Sequence, residues 1–142
     1  MINKAYAAIA RAADKKTQQV AGLSSTQLGV LLFLSRRDGQ TATELAKSLS
    51  VRKSSLSGLI DRMEERGLVQ RKKDLEDRRV VRIYLQAAAL DLLQRTMPVV
   101  RHINRQMLAP FDEAEVAIIA RFLRHVAENA ETLIAQAAPP KE

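Results

Sequence analysis

The hydrophobic pattern of this sequence changes its period once, between Leu68 and Leu85. Before and after that interval, apolar residues recur in steps of three and four, which predicts amphipathic helices. Inside it, apolar and polar side chains alternate, which predicts strands over Leu68–Lys72 and Val80–Leu85. The charged stretch Lys73–Arg79 joins them, so the interval is a predicted hairpin with a polar tip. The fold must therefore place one small ribbon among helices.

Four helices are predicted before the hairpin. The first ends at Gly22, and its apolar stripe consists of Ile2, Tyr6, Ile9, Ala13 and Val20. Ser24 with Gln27, and Thr41 with Glu44, have the spacing of capping boxes, which predicts that they open the second and third helices. The fourth helix has an apolar face formed by Leu56, Leu59, Ile60 and Met63.

Two longer helices are predicted after the hairpin, starting at Ala87 and at Asp112. The stripe of the first consists of Leu90, Leu93, Met97, Val100, Ile103 and Met107. This stripe continues past Pro98, so the proline is expected to kink the helix without ending it. The stripe of the second consists of Ile119, Phe122, Val126, Ala130, Leu133 and Ala137.

The predicted fold class is mostly α with a small β-hairpin wing. Two adjacent short helices followed by a hairpin outline a winged helix-turn-helix, which we predict for residues 24–86 of a single domain spanning residues 1–142. Residues 1–22 and 87–138 are predicted flanking helices whose stripes form a homodimer interface. The alternative is that these stripes pack on each other within one chain.

Charge indicates the kind of partner. The chain has a net charge of +7, which favours a polyanion, either nucleic acid or an anionic membrane surface. Between Arg52 and Arg82 there are 10 Lys/Arg against 6 Asp/Glu, whereas Asp112–Glu142 has 3 against 6, so the basic part is the predicted lobe. The sequence has no cysteine, which excludes disulfides and thiolate metal sites. No signal-peptide core or bilayer-length apolar run is found, and we predict a cytoplasmic protein with no membrane partner.

The fourth predicted helix, Arg52–Arg66 with Gly67 to end it, is the candidate recognition helix. An α-helix fits the major groove of double-stranded DNA, and its N-terminal residues usually reach the base edges. The candidate DNA-binding residues on this helix are Arg52, Lys53, Ser54, Ser55, Ser57 and Arg62. The alternative is an ordinary solvated helix face.

The tip of the hairpin adds a second set of candidates. Its basic groups are Lys72, Lys73, Arg78, Arg79 and Arg82, and the acidic residues Asp74, Glu76 and Asp77 lie between them. An arginine at such a tip can enter the minor groove, and a neighbouring carboxylate can hold its guanidinium. The alternative is a charge-balanced loop in solvent.

Taken together, these segments resemble the MarR (multiple antibiotic resistance regulator) transcription factors. The resemblance rests on the helix start at Gln27, on Thr41–Ala46, on Leu59–Val69 and on Asp77-Arg78-Arg79 followed by Ile83 and Leu85. It implies a cytoplasmic homodimer, usually a repressor, that binds an inverted-repeat operator. It also implies that Asp77 orients Arg79, that Arg79 enters the minor groove, and that Ser54, Ser55 and Ser57 face the major groove.

The resemblance further implies release from DNA by a small aromatic or weakly acidic ligand bound between the dimer helices and the winged lobe. Arg11 and Arg101 are candidates to pair with a ligand carboxylate. The sequence departs from the family pattern at Arg52, where relatives often have a capping serine, and at Gly58, where some carry a base-reading arginine. Gln86 and Ala89 also replace the usual threonine and glycine at the start of the next helix.

Catalysis has little support in the sequence. His102 and His125 are its two histidines, and they fall on separate helical segments without a cysteine or carboxylate at metal-ligand spacing. No nucleophile constellation or glycine-rich phosphate loop is found, so we predict neither an enzyme nor a cofactor. The alternative function is a helical dimeric interaction module that binds an anionic partner without reading a DNA sequence.

Overall fold

The computed structural model describes residues 2–135, which fold into two compact units divided between Val99 and Val100. The first unit contains α1 (Ile2–Ala21), α2 (Ser25–Arg36), β1 (Gln40–Thr41), α3 (Ala42–Ser48), α4 (Lys53–Glu65), β2 (Val69–Lys73) and β3 (Val81–Leu85). Helix α5 (Ala87–Leu108) starts in the first unit and ends in the second, which also contains α6 (Glu113–Ala135). The predicted order of helices and hairpin is confirmed, and one short strand, β1, is added to it.

Reciprocal caps start the helices on either side of β1, as predicted. The Ser24 hydroxyl accepts a hydrogen bond from the Gln27 N–H at 3.1 Å, and the Gln27 side chain accepts one from the Ser24 N–H at 2.9 Å. Thr41 and Glu44 repeat the arrangement at 3.2 and 2.8 Å. Each pair satisfies two backbone donors that a helix start leaves without partners, which fixes where α2 and α3 begin.

The sheet has three antiparallel strands in the order β1-β3-β2, so the hairpin prediction was incomplete. Strand β1 pairs Gln40 with Ile83 and was not predicted, because two residues show no period. The predicted strands Leu68–Lys72 and Val80–Leu85 are each wrong by one residue at their N-terminal end, and β2 also extends to Lys73. Val80 is excluded from β3 because its N–H bonds the Asp77 carbonyl at 2.9 Å, within the loop at the tip.

The core lies among α2, α3, α4 and the sheet. The predicted inner face of α4 is confirmed, since all four of its apolar residues are buried. The largest fully buried side chains are Leu23, Leu31, Leu34, Leu45, Leu56, Ile60, Met63, Ile83, Val30, Val69 and Thr96. Phe33 on α2 and Leu49 at the end of α3 are only half-buried. The apolar face of α4 therefore anchors it and directs its opposite face to solvent.

Helix α5 starts at Ala87 and continues through Pro98, as predicted. Its buried residues are Ala89, Leu93 and Thr96, so Leu93 is covered within the chain, whereas Leu90 on the same predicted stripe is exposed. In the second unit, α6 begins with a third reciprocal cap, in which Asp112 and Glu115 bond each other's backbone N–H at 2.9 and 2.8 Å. The predicted stripe position Ala137 and residues 136–138 of the predicted flanking helix lie outside the described residues. Over residues 2–135, no helix is both long and apolar enough to cross a membrane.

Candidate nucleic-acid interface

A tight turn positions helix α4 after α3. Ser50 adopts a left-handed conformation (φ 53°), and the Val51 N–H bonds the Ala46 carbonyl at 3.0 Å. Arg52 then stands at the N-cap of α4 without a side-chain capping bond, as the departure from the family pattern predicts. The first turn of α4 thus keeps backbone N–H groups that point away from the helix, and these favour anions such as phosphate.

The exposed face of α4 carries every candidate residue predicted on this helix. Arg52, Lys53, Ser54, Ser55, Ser57 and Arg62 are all exposed. The three serines lie in the first half of the helix, which is where a recognition helix reaches base edges. The structure thus brings these residues together on one accessible surface, and their contacts with DNA stay a prediction.

An arginine held by a carboxylate projects from the loop between β2 and β3. The Arg79 guanidinium donates to both oxygens of Asp77, from Nε at 3.0 Å and from Nη2 at 3.1 Å. These bonds, together with the Arg79 N–H, lower the pKa of the Asp77 carboxyl. The Arg79 side chain is nevertheless 91% exposed. A planar cation of fixed orientation is therefore offered to solvent at the tip.

Arg82, which sequence analysis placed among the basic groups of the tip, is tied into the fold instead. Its guanidinium pairs with Asp74 and donates to the Gly39 carbonyl at 3.0 Å, because pairing of β1 with β3 brings Gly39 close. The bond from Arg82, with the Asp77 and Glu76 N–H groups, lowers the pKa of the Asp74 carboxyl to about 2. Arg82 and Asp74 thus fix the base of the loop.

The other basic candidates of the wing, Lys72, Lys73 and Arg78, are exposed. The Lys72 ammonium lies 5.5 Å from the centre of the Tyr84 ring, at the range of a cation–π contact. This contact leaves the charge of Lys72 accessible, so the wing presents these three basic side chains to solvent in addition to Arg79.

One residue that connects α4 to the wing could not be recognised from its sequence neighbours. Arg71 on β2 donates from Nη1 to Glu64 at 2.8 Å and pairs with Asp61 at 2.6 Å. The Arg71 N–H also bonds Glu64 at 2.8 Å, and these bonds lower the pKa of the Glu64 carboxyl. Arg71 precedes Lys72 and Lys73 in a run of three basic residues, which in the sequence does not distinguish it from a solvent-exposed cation. The available signal was the spacing of Asp61 and Glu64, which places two carboxylates on one side of the helix.

The fold and this basic surface define a winged helix-turn-helix protein of the DNA-binding class. The MarR family model matches residues 23–81. The HTH-type transcriptional regulator YsmB of Bacillus subtilis, itself uncharacterised, is 31% identical over 117 residues, which are 82% of this chain and 80% of YsmB. The chain therefore belongs to the MarR family, whose members regulate transcription.

Solved structures agree with this fold. Sco3205, a MarR family transcriptional regulator from Streptomyces coelicolor solved in complex with DNA, is 26% identical with a TM-score of 0.83, and the match covers 90% of this chain and 82% of Sco3205. BpsR from Bordetella bronchiseptica, whose DNA binding is regulated by 6-hydroxynicotinic acid, is 21% identical with a TM-score of 0.74, over 89% of this chain and 98% of BpsR. At that identity, the second match shows the fold alone.

Proposed function

We propose that two copies of this chain bind an inverted-repeat operator in double-stranded DNA and repress transcription there. In this proposal α4 enters the major groove with Ser54, Ser55 and Ser57, and Arg79 enters the minor groove. The observation that carries it is the exposed Arg79 guanidinium held by Asp77. The minor groove attracts arginine because its potential is the most negative on the duplex. Since relatives such as YsmB are bacterial regulators, we propose that the protein works on the chromosome in the cytoplasm and has no catalytic role.

The test uses a 30-base-pair duplex that the wild-type protein selects from a randomised pool, with an unselected duplex of equal length beside it. Arg79→Ala is expected to weaken binding to the selected duplex by at least about tenfold, because it removes one good contact in the groove. Arg78→Ala is the matched control, because Arg78 is the neighbouring exposed arginine without the Asp77 bond pair, and it is expected to weaken binding less. Asp77→Ala is also expected to weaken binding less than Arg79→Ala.

Equal affinity of wild-type protein for every duplex would favour the alternative, an interaction module that binds polyanions without reading sequence. Equal losses in Arg78→Ala and Arg79→Ala would contradict a special position for Arg79. Circular dichroism is expected to show unchanged folding in both variants, because both side chains are exposed.

Exposed apolar side chains support the dimer. Tyr6 on the apolar stripe of α1 is 74% exposed, whereas Ala21 at the end of the same helix is buried. The other large apolar side chains exposed on the flanking helices and at the turn before α6 are Ile9, Val20, Leu90, Met107, Leu108, Phe111, Ile118, Phe122, Leu123 and Leu133. Monomeric proteins rarely leave so many uncovered, and a second copy of the chain would bury them. We therefore propose residues 1–22 and 87–138 as the dimerisation helices and residues 24–86 as the DNA-binding lobe.

Light scattering tests the dimer, and a monomer at micromolar concentration would overturn it. Phe122→Glu is expected to shift the protein toward the monomer, because it places a charge in the proposed interface. Leu75→Glu is the control, since Leu75 is a large apolar side chain on the loop between β2 and β3 that is 98% exposed, against 51% for Phe122. In the dimer, the two α4 helices are expected to lie one helical turn of DNA apart, about 34 Å.

We also propose that a small aromatic or weakly acidic ligand lowers the affinity for DNA. The proposal follows from the family and from the regulation of BpsR by such a molecule. Arg11 in the first unit and Arg101 in the second are both exposed, and each by itself is a candidate to pair with a ligand carboxylate. A thermal-shift measurement with 6-hydroxynicotinic acid as probe, followed by binding to the selected duplex, tests it. A ligand must bind the DNA-free state more tightly to act, so stabilisation without loss of DNA affinity would contradict the switch.

A further inference from the structure

Arg71 lies against a row of acceptors on α4. Ser57, Asp61 and Glu64 follow each other at steps of four and three residues, so they occupy neighbouring positions along one side of the helix. The Arg71 guanidinium reaches all three, bonding Glu64 at 2.8 Å, Asp61 at 2.6 Å and the Ser57 carbonyl at 3.4 Å. Its side chain is 29% exposed, against 55% for Asp61.

This row borders the surface proposed to enter the major groove. Ser57 itself is a proposed DNA contact, and Asp61 is one turn further along. In the proposed complex, a carboxylate at this place would come near the phosphates of the duplex, and like charges so close to each other repel. The Arg71 guanidinium compensates this charge, since it is bound to Asp61 and Glu64 at the same time.

We propose that Arg71 is a positioning residue for DNA binding, which masks the Asp61 and Glu64 carboxylates from the duplex while it holds β2 against α4. The proposal rests on the proposed function. In this role Arg71 does not contact phosphate. It pairs with two carboxylates of the protein and so reduces the repulsion between the neighbouring surface and DNA.

The experiment compares wild type, Arg71→Met, Arg71→Lys and the double variant Arg71→Met/Asp61→Asn on the selected 30-base-pair duplex. Arg71→Met keeps the length of the side chain but removes its charge and is expected to weaken binding by at least about tenfold. In the double variant, the exposed carboxylate is gone as well, so more than half of the logarithmic loss is expected to return. Arg71→Lys keeps one charge and is expected to bind better than Arg71→Met.

The salt dependence of Arg71→Met, compared with that of the double variant, provides a readout that a merely structural role would not move. Repulsion between Asp61 and phosphate is screened by ions, so the deficit of Arg71→Met relative to wild type is expected to shrink as salt is raised from about 50 to about 300 mM. A misplaced wing that loses phosphate contacts would also shrink the deficit, but it would do so equally in the double variant, whereas repulsion by Asp61 is absent once Asp61 is asparagine. Circular dichroism of each variant reports whether the fold is kept.

Three results would overturn the proposal: wild-type affinity in Arg71→Met, no recovery in the double variant, or equal binding by Arg71→Lys and Arg71→Met. If Arg71→Met folds poorly, the double variant is compared with wild type directly, and a loss of about tenfold or more in the folded double variant overturns the proposal. A wild-type protein that selects no duplex would refute the proposed function, and the role of Arg71 would fall with it. Selective wild-type binding with any of the three results would refute the role of Arg71 alone.

Discussion

Replacing Gly58 with alanine is expected to stabilise the protein, although Gly58 lies in the middle of the proposed recognition helix. A β-carbon built at Gly58 has no atom within 4 Å, and the residue has ordinary helical geometry. No packing gain or clash is therefore expected, and helix propensity decides the result. Glycine in a helix interior is about 1 kcal/mol less favourable than alanine.

A gain of this size corresponds to a rise in melting temperature of about 3 °C for a chain of this length. The measurement is thermal unfolding followed by circular dichroism, with wild type and variant at the same protein concentration, because dimer formation makes the melting temperature depend on concentration.

Gly67 provides the matched control. A β-carbon there also has no atom within 4 Å, but Gly67 has a φ of +66°. An L-residue in this left-handed region costs about 1–2 kcal/mol, so Gly67→Ala is expected to lower the melting temperature. The two substitutions add the same methyl group to open space and differ in backbone conformation. A fall in melting temperature in Gly58→Ala, or a shift of both variants in the same direction, would refute this reasoning.

Three further results are expected from single substitutions. Lys72→Ala should reduce the slope of log affinity against log salt by about 0.9 if Lys72 contacts a phosphate, and an unchanged slope would contradict that contact. The pKa of Asp74 is about 2 in the folded protein, below its ordinary 3.8, so its contribution to stability is complete above the ordinary value and is lost as pH falls through 2. Asp74→Asn should therefore lose less stability than wild type on acidification, and equal acid sensitivity would count against the Arg82 pair. Leu34→Ala removes a fully buried side chain and should lower the free energy of unfolding by about 2–5 kcal/mol in urea denaturation; a loss below about 1 kcal/mol would show that the site collapses around the smaller residue.

Local signals were enough to predict most of the fold. The capping pairs Ser24–Gln27 and Thr41–Glu44 are short-range and could be predicted directly, because the residue types and their spacing define the hydrogen bonds. The path of α5 through Pro98 was likewise predictable, since the apolar stripe continues on both sides. Strand β1 was not predictable, because its two residues are fixed by pairing with β3, about forty positions away in sequence.

The candidate site divides in the same way. The exposed serines of α4 and the tip residues Asp77 and Arg79 follow from helix periodicity and from adjacency in sequence. The roles of Arg71 and Arg82 depend on which carboxylates the folded chain brings beside them, and in a stretch rich in both charges many pairings are compatible with the sequence. Tertiary structure chooses among them, so the sequence could place the charges but not their partners.

The pairing of arginines with carboxylates of the same lobe also bears on how such a protein searches a chromosome. Arg71 and Arg82 are bound to Asp61, Glu64 and Asp74. On nonspecific DNA these two arginines therefore release few counterions from the duplex and contribute little to the affinity. Weak binding to nonspecific sites shortens the residence time of the protein there and leaves a larger fraction of the molecules free to diffuse. In the proposed mode of binding, a lobe of modest effective charge can thus dissociate quickly from most sites and remain bound only where the grooves fit both α4 and the wing.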